Sequence, residues 1–211
     1  MPRRVFVTGT DTNVGKTVLS ALLCAAMDSF YWKPIQTGAC DGTDRNTVLQ
    51  LSQISPEKCL PESYCFDPPV SPHLAAQQAG KEIELAKICV PRIPDSAALV
   101  VEGAGGVMVP ITPTRLMTAL IRQLNLPVLV ASRSTLGTIN HTLLSVAALR
   151  QARAVIVGVV MIGSENTDNQ RAIEKYGDVP VVGMIPWLES LSRDSLLEVY
   201  RTKFDPQVFI A

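Results

Sequence analysis

Residues 5–7 are apolar and lead through Thr8 into a loop that ends in Gly15-Lys16-Thr17, after which a helix-like pattern begins. In this order, loop N–H groups can surround phosphate oxygens, Lys16 can place its charge on the outer phosphates, and the Thr17 hydroxyl can ligate Mg²⁺. The helix that follows adds its positive N-terminal end. The segment therefore predicts a strand, a phosphate-binding loop and a helix that together hold a nucleoside triphosphate.

The loop is one residue longer than the usual form. Five residues separate Gly9 from Gly15, where the usual pattern has four, and Thr10 occupies the place of the usual first glycine. A chance Gly-Lys-Thr in a turn is the alternative explanation. The strand before the loop and the helix after it favour the phosphate-binding loop.

The composition is typical of a chain that buries a large core without covalent or metal cross-links. Its 211 residues are 47% apolar, and 19 basic residues balance 19 acidic ones. That length suffices for a stable core, and we expect one domain spanning residues 1–211. A net charge of zero argues against nucleic acid or an anionic membrane as a partner.

The sequence favours a cytoplasmic protein. Met1-Pro-Arg-Arg4 leads straight into the first strand, which leaves no room for a signal peptide. No apolar run approaches the ~20 residues that a membrane span needs. The five cysteines include no closely spaced metal-binding pair, so we expect ordinary thiols in a reducing compartment.

Apolar runs alternate with helix-like patterns along the chain, which predicts an α/β fold with a mostly parallel sheet. The predicted strands are residues 4–8, 30–34, 97–101, 127–131, 155–161 and 179–184. The predicted helices are residues 16–27, 44–53, 82–90, 114–124, 138–151 and 168–176. Residues 55–72 hold five prolines and are predicted as one long loop. With the phosphate loop, this order indicates a single-domain, P-loop NTPase-like fold of three layers, with helices on both faces of the sheet.

Ligands of such sheets gather at the carboxyl ends of the strands. Lys33 lies at the end of the second predicted strand and Glu102 directly follows the third, before residues 103–106, which are predicted as flexible backbone. Two lysines, Lys16 and Lys33, can stabilise the charge of a phosphoryl group in transfer. The alternative for Lys33 is a strand-end lysine that extends to solvent.

A magnesium site is predicted from Thr17, Glu102 and one further carboxylate, because Mg²⁺ prefers a few hard oxygens together with phosphates and water. Asp44 is the preferred third ligand and Asp41 its competitor. Asp44 opens a predicted helix, so it could instead be a plain N-cap residue. Glu102 could instead only accept hydrogen bonds from neighbouring backbone N–H groups.

These motifs together resemble the dethiobiotin synthetase family over nearly the whole chain, and the longer phosphate loop is the form that this family uses. The matching segments are Val7–Thr17, Trp32–Gly38, Ser71-Pro-His73, Val101–Gly106, Leu136–His141 and Ile185–Leu188. The resemblance implies ATP-dependent closure of a ureido ring on 7,8-diaminononanoate (7,8-diaminopelargonate) with CO2, in biotin biosynthesis. It also implies a carbamate, a carbamic-phosphoric anhydride and a homodimer.

The resemblance further implies which residues hold the ligands. Lys16 and Lys33 would be catalytic, and Thr17, Asp44 and Glu102 would hold Mg²⁺. ATP would contact Asn13, Val14, Gly15, Lys16, Thr17, Val18, Asp44, Glu102, Gly103, Ala104, Gly105, Pro186, Trp187 and Leu188. The diamine or its carbamate would contact Thr12, Lys33 and Thr37, together with Gly137, Thr138, Ile139 and Asn140 of the other subunit.

The residues from Gly137 onward open a helix whose N-terminal end can bind the substrate carboxylate. A plain helix cap is the alternative for that segment. His73 and His141 have no metal-ligand partner at suitable spacing, and we expect both to be structural.

Ile162 departs from the family pattern. An asparagine that reads the adenine edge is expected near the end of the fifth strand, and Ile162 stands at that place. Because isoleucine cannot hydrogen-bond a base, we expect weak discrimination among nucleobases. Residues 186–188 can pack against the base, although a tryptophan at a strand end, here Trp187, more often belongs to the core.

A partitioning-type P-loop ATPase switch is the main alternative. Such proteins carry a signature lysine five residues before the phosphate-loop lysine, where this chain has Asp11, and they bind DNA or membrane through basic or amphipathic segments. A relative that amidates cobalamin precursors would need a glutamine-hydrolysing domain, for which 211 residues leave no room. A nucleotide-binding remnant without catalysis would lack the key lysines and acids, and these are present.

Overall fold

The computed structural model describes residues 4–205. The strands are β1 Arg4–Gly9, β2 Phe30–Trp32, β3 Ile35–Gln36, β4 Cys59–Leu60, β5 Tyr64–Cys65, β6 Leu99–Gly106, β7 Pro110–Thr112, β8 Arg115–Leu116, β9 Val128–Arg133, β10 Ile156–Ile162 and β11 Val181–Ile185. The α-helices are α1 Lys16–Met27, α2 Asp44–Ser52, α3 Pro72–Gln78, α4 Met117–Leu124, α5 Thr138–Gln151, α6 Thr167–Gly177 and α7 Arg193–Lys203. Short 3₁₀ helices are Ala39–Asp41, Pro56–Lys58 and Leu85–Lys87.

Within residues 4–205, seven strands form a parallel central sheet in the order β11-β10-β9-β1-β6-β2-β4. β1 lies in the middle, with β9 on one side and β6 on the other. The register places Val7 of β1 opposite Glu102 of β6. The phosphate loop therefore leaves the sheet at its centre, next to the strand that carries the candidate acid.

Two apolar cores cover the two faces of the sheet, because successive side chains of a strand point to opposite faces. Val5 and Val7 belong to one core and Phe6 to the other. Helices α1, α2 and α7 supply the first core, and helices α3 to α6 supply the second. The prediction of a three-layer α/β fold with a mostly parallel sheet is confirmed.

The predicted helix over residues 82–90 is wrong. The structure has only the 3₁₀ helix Leu85–Lys87 there. The side-chain amide of Gln123 donates hydrogen bonds to the backbone oxygens of Leu85 and Ile88, each at 2.8 Å. These carbonyl groups are satisfied from α4 rather than within a helix, so the apolar side chains Ile83 and Ile88 reach the core from extended backbone.

Residues 103–106 belong to a strand and are not flexible backbone. β6 continues to Gly106, which pairs with Gly9 of β1, so the third predicted strand ended too early. A Cβ built on Gly106 would lie 3.4 Å from the backbone oxygen of Gly9, an ordinary van der Waals distance. The predicted loop over residues 55–72 also contains β4 and β5, and helices α3 and α7 were not predicted.

A methyl group at Gly183 is expected to destabilise the protein. A Cβ built on Gly183 of β11 would lie 2.6 Å from two ring carbons of Phe204, which follows α7. We expect Gly183→Ala to lower the free energy of unfolding by about 1–3 kcal/mol, because the ring or the strand must move. Urea denaturation measures this change.

The double variant Gly183→Ala/Phe204→Leu is the matched control, and it should recover part of the loss because the smaller side chain leaves room for the methyl group. A single variant as stable as the parent chain would contradict the close packing.

Candidate active site

The phosphate loop joins the end of β1 to the start of α1. Gly15 has φ +96°, and a Cβ built there would lie 2.8 Å from Cδ1 of Ile162, so both conformation and space require glycine. Asn13 also has a positive φ of 56°. Gly15 is the N-cap of α1 and has no side chain to occupy the first N–H groups of the helix. These N–H groups therefore remain available for an anion.

A buried polar cluster lies where α1, α2, β2 and β6 meet. The hydroxyl of Thr17 lies 2.9 Å from Oδ1 of Asp44 and 3.0 Å from Oε1 of Glu102. Thr17 has a single hydroxyl proton, so it can donate to only one of these carboxylates at a time. Two carboxylate oxygens thus converge on one hydroxyl, which favours a cation at this point.

Lys33 supplies the positive charge of the cluster. Its Nζ is ion-paired with Oδ2 of Asp44 and lies 3.2 Å from Oε1 of Glu102. Lys33 is 5% exposed, so the alternative of a lysine that extends to solvent is wrong. Burial alone would lower the pKa of Lys33, but the charges of Glu102 and Asp44 outweigh it and raise this pKa. Burial opposes the charge of Asp44 as well, and Lys33 outweighs it, so the pKa of Asp44 is lowered.

Glu102 is fully buried at the centre of the sheet. Its donors among the described residues are the side chains of Thr17, Lys33 and Tyr31, whose hydroxyl donates to Oε2 at 3.0 Å. The alternative that Glu102 accepts hydrogen bonds from backbone N–H groups is therefore wrong. Burial, and then the charge of Glu102, raise the pKa of Tyr31 well above its usual value, so Tyr31 stays a donor.

Lys16 differs from Lys33 in its partners. Its Nζ donates to the backbone oxygen of Asp11 at 2.9 Å, within the phosphate loop. Burial lowers its pKa to about 8, and the positive charge of Lys33 acts in the same direction, although Glu102 opposes both. The side chain is thus held by a neutral group, which an incoming phosphate can replace.

Asp44, and not Asp41, lies in this cluster. Thr43 is the N-cap of α2, and its side chain accepts the hydrogen bond from the N–H of Asn46. The alternative of Asp44 as the N-cap is therefore wrong. Asp44 is the first residue of the helix and its carboxylate faces Thr17 and Lys33, whereas Asp41 is exposed at the end of a 3₁₀ helix.

The donor set of Thr17, Asp44 and Glu102 fits Mg²⁺, which commonly takes one or two carboxylates and completes its shell with phosphates and water. Within residues 4–205 there is no group of three or more His, Cys, Asp or Glu side chains that could hold a metal ion. The hydroxyl and the two carboxylates thus supply only part of a magnesium shell, and the phosphates of a nucleotide would supply further ligands. The described cysteines are all free.

A cavity of about 210 Å³ lies against the phosphate loop. Its walls include Asn13, Val14, Val18, Ile162 and Trp187. Trp187 is 77% exposed, so the alternative that it belongs to the core is wrong. The cavity places Pro186, Trp187 and Leu188 beside the loop, as expected for residues that enclose a nucleotide.

A second, open cavity of about 550 Å³ lies beside the start of the phosphate loop and the end of β6. Thr10, Asp11 and Gly106 form one side, and His141 and Leu144 of α5 form the other. His141 was expected to be structural, but it is exposed and lines this cavity. The cavity could hold an extended molecule next to the loop.

The residues expected to contact the diamine lie in different settings. Thr12 is exposed in the phosphate loop, and Thr37 is half-buried after β3. At the start of α5, Gly137 is the N-cap with φ +93°, Asn140 is exposed, and Ile139 is half-buried. The Thr138 hydroxyl donates inward to the backbone oxygen of Arg133. The N-terminus of α5 is therefore capped by a glycine that has no side chain, and Asn140 in its first turn is exposed to solvent.

Two residues of this site were missed in the sequence. Tyr31 precedes Lys33 by two positions, which places both on one face of an extended segment, and this spacing could have found it. Arg133 ends β9, and its guanidinium donates to the backbone oxygen of Thr12 at 3.2 Å and lies 3.7 Å from the Asp11 carboxylate. The expectation that polar residues at strand ends reach the site could have found Arg133 as well.

A parallel sheet with a phosphate loop between its central strand and first helix defines the class of P-loop NTPases. The solved structure of a ParA family ATPase from Chlorobium tepidum TLS is similar, with a TM-score of 0.55 and 14% sequence identity over 94% of this chain and 92% of that one. At this identity, the likeness shows the fold alone.

Comparison of sequences gives a closer relation. A family model described as an AAA domain matches residues 3–195. The ATP-dependent dethiobiotin synthetase BioD of Nitrobacter hamburgensis is 47% identical, covering 97% of this chain and 95% of that protein. The protein of the same name from Rhodopseudomonas palustris strain HaA2 is 43% identical, covering 100% and 98%. The chain belongs to the ATP-dependent dethiobiotin synthetase family.

Removal of the Tyr31 hydroxyl is expected to destabilise the buried cluster. In Tyr31→Phe, one oxygen of the fully buried Glu102 loses its donor. We expect the free energy of unfolding to fall by about 1–3 kcal/mol, the cost of an unsatisfied buried acceptor. Chemical denaturation monitored by circular dichroism measures it.

Tyr64→Phe is the matched control. Among the residues that the structure describes, the Tyr64 hydroxyl accepts one hydrogen bond, from the backbone N–H of Glu84 at the surface, so a smaller loss is expected. Equal losses for the two variants would show that the hydrogen bond to Glu102 contributes no more to the free energy of unfolding than the surface hydrogen bond of Tyr64.

Proposed function

We propose that the protein is an ATP- and Mg²⁺-dependent cyclo-ligase that converts 7,8-diaminononanoate and CO2 to dethiobiotin, with release of ADP and phosphate. Membership of the family supports the overall reaction. The observation that carries the chemistry is the buried Lys33, which bridges two carboxylates beside Thr17 at the end of the phosphate loop.

The proposed reaction has three steps. An amine of the substrate attacks CO2, loses a proton and becomes a carbamate. A carbamate oxygen then attacks the γ-phosphorus of ATP, the bond from that phosphorus to the bridging oxygen breaks, and ADP leaves. Finally, the second amine attacks the carbonyl carbon of the carbamic-phosphoric anhydride and loses a proton, the bond from that carbon to the phosphate oxygen breaks, phosphate leaves, and the ureido ring closes.

The two lysines have different roles in this proposal. Lys33 stays charged among Glu102 and Asp44 and attracts the carbamate anion, while Thr12 and Thr37 orient the diamine through their hydroxyls. Lys16 leaves its neutral backbone partner and follows the transferred phosphoryl group. Both charges lie in a largely dry site, where they stabilise negative charge more strongly than in water.

We assign the magnesium ion to Thr17, Asp44 and Glu102. Bound there with ATP, it would neutralise charge on the phosphates. The nucleotide would contact the loop from Asn13 to Val18, the β6 residues Gly103 to Gly105, and Pro186, Trp187 and Leu188.

The diamine is proposed to extend along the open cavity between the phosphate loop and α5. Its carboxylate would bind the N-terminus of α5 in the other subunit of a homodimer, at residues 137–140. Met108 and Leu144 at this cavity are 56% and 63% exposed, which supports an apolar surface that a second subunit covers.

The switch-ATPase alternative is not favoured. Asp11 occupies the position of the signature lysine and pairs with Arg133. An acid at this position cannot supply the positive charge of that lysine. Within the described residues, no helix is long and apolar enough to cross a membrane. We place the enzyme in the cytoplasm as one domain over residues 1–211, with small molecules and not nucleic acid as its partners.

Phosphate release that requires the diamine is the first test of this function. With Mg-ATP and bicarbonate, we expect release only when 7,8-diaminononanoate is present. In Lys33→Ala it should fall by about a hundredfold or more, because the cation for the carbamate is lost. A coupled phosphate assay measures both rates.

Lys58→Ala is the control, since Lys58 forms an ion pair with Asp28, outside the site. Because Lys33→Ala leaves Glu102 and Asp44 without their lysine partner, circular dichroism is used to verify that this variant remains folded. Release that is indifferent to the diamine would instead favour the switch-ATPase class.

The magnesium assignment predicts different effects for two neighbouring acids. Asp44→Asn should raise the Mg²⁺ concentration for half-maximal activity by about tenfold or more, because a charged ligand becomes neutral. Asp41→Asn should leave it unchanged, since Asp41 is exposed outside the cluster. Activity titrated with MgCl2 at fixed ATP measures both, and the reverse order would move the metal to Asp41.

A further inference from the structure

The apolar walls of the 210 Å³ cavity come from α1, β10 and the segment after β11. Ile162 ends β10 and packs against Gly15 of the phosphate loop, opposite Val18 of α1. Leu188 and Leu191 close the other side. None of these side chains can donate or accept a hydrogen bond. A base that enters this part of the cavity is therefore held by contact area and shape.

The backbone at the strand ends is already engaged. The N–H of Gly163 donates to the backbone oxygen of Ile185 at 2.9 Å, and the N–H of Ser134 donates to the backbone oxygen of Ile162 at 3.1 Å. These bonds connect β9, β10 and β11 with each other. They occupy the two N–H groups, Gly163 and Ser134, that adjoin the end of β10.

Besides the indole N–H of Trp187, the polar side chains that line the cavity are those of Asn13, Arg133 and Thr135. Asn13 belongs to the phosphate loop itself, and Arg133 is tied to that loop through Thr12 and Asp11. Thr135 adds one exposed hydroxyl, which can donate or accept and so suits the edge of any base. Strong selection among bases comes from buried polar groups that only one base can satisfy, and such a group is not part of the apolar walls.

Trp187 offers the kind of contact that every base can make. Its side chain lines the cavity and is 77% exposed, so its ring is accessible to a ligand. Base–aromatic stacking is possible with every base, because each base has a π face. A stack on Trp187 would hold purines and pyrimidines alike.

We propose that this cavity accepts purine and pyrimidine nucleoside triphosphates with little preference. Trp187 would be the stacking partner of the base, and Ile162 would lie at the polar edge of the base without forming a hydrogen bond to it. The inference rests on the proposed function, because it concerns the phosphoryl donor of that reaction. The phosphate loop and the magnesium ligands contact parts that all four triphosphates share.

The first experiment compares ATP, GTP, CTP and UTP as donors in diamine-dependent phosphate release. We expect kcat/KM values within about tenfold of each other, because apolar contacts discriminate weakly. A preference for ATP above tenfold overturns the inference while the proposed function stands. If no triphosphate supports diamine-dependent release, the proposed function fails, and the binding experiment below then decides the base preference alone.

Binding can be followed through the intrinsic fluorescence of Trp187. The chain has two tryptophans, and the other, Trp32, is buried with its indole N–H donating to the backbone oxygen of Pro61. Each magnesium triphosphate should change the fluorescence, with similar dissociation constants, and the change should disappear in Trp187→Phe. A signal that persists in this variant, or that ATP alone produces, overturns the inference.

Two substitutions of Ile162 separate its chemistry from its packing. Ile162→Asn introduces a polar group at the base and should change the ratio of kcat/KM between ATP and CTP by tenfold or more. Ile162→Val keeps an apolar wall next to Gly15 and should leave that ratio as it is. Equal ratios in both variants would show that Ile162 does not determine the base preference.

Discussion

The buried carboxylate of Glu102 is the constraint on which the rest of the site depends. An ionised group at the centre of a sheet is strongly destabilising unless charges and hydrogen bonds compensate it. Here Lys33, Tyr31 and Thr17 provide that compensation, from β2 and α1, and Asp44 joins them from α2. The four elements must therefore assemble together for the site to form, so its geometry is coupled to the folding of the domain.

The same arrangement gives the two lysines different properties. Lys33 lies between two acids, which keep it charged and fixed in place. Lys16 is held by a backbone oxygen and has a pKa lowered to about 8, chiefly by burial. One cation is thus preorganised, while the other can leave its partner when phosphate arrives. A reaction that first holds an anion and then moves a phosphoryl group needs both kinds.

Much of the architecture was predictable because local patterns and the final contacts agree. The β1–loop–α1 segment, the parallel sheet and the placement of Lys33 and Glu102 at one sheet edge follow from apolar runs and from what stands at their ends. The helix predicted over 82–90 was wrong because a distant side chain, Gln123, satisfies the carbonyl groups of that segment. Trp187 was expected to contact ATP, with a place in the core as the alternative, because a sequence does not reveal which end of a sheet stays open; the structure leaves its side chain exposed.

The sequence by itself determined the fold class, the phosphate loop and the family, since these depend on residue type and short-range spacing. It left Asp44 and Asp41 as competitors, because both follow β3 within a few residues and either could face a metal. Tertiary structure decided between them: Thr43 caps α2, so the Asp44 side chain is directed to Thr17 and Lys33, which lie 27 and 11 positions away along the chain. Contacts between residues so far apart along the chain arise from the packing of whole helices and strands, which local sequence patterns do not predict.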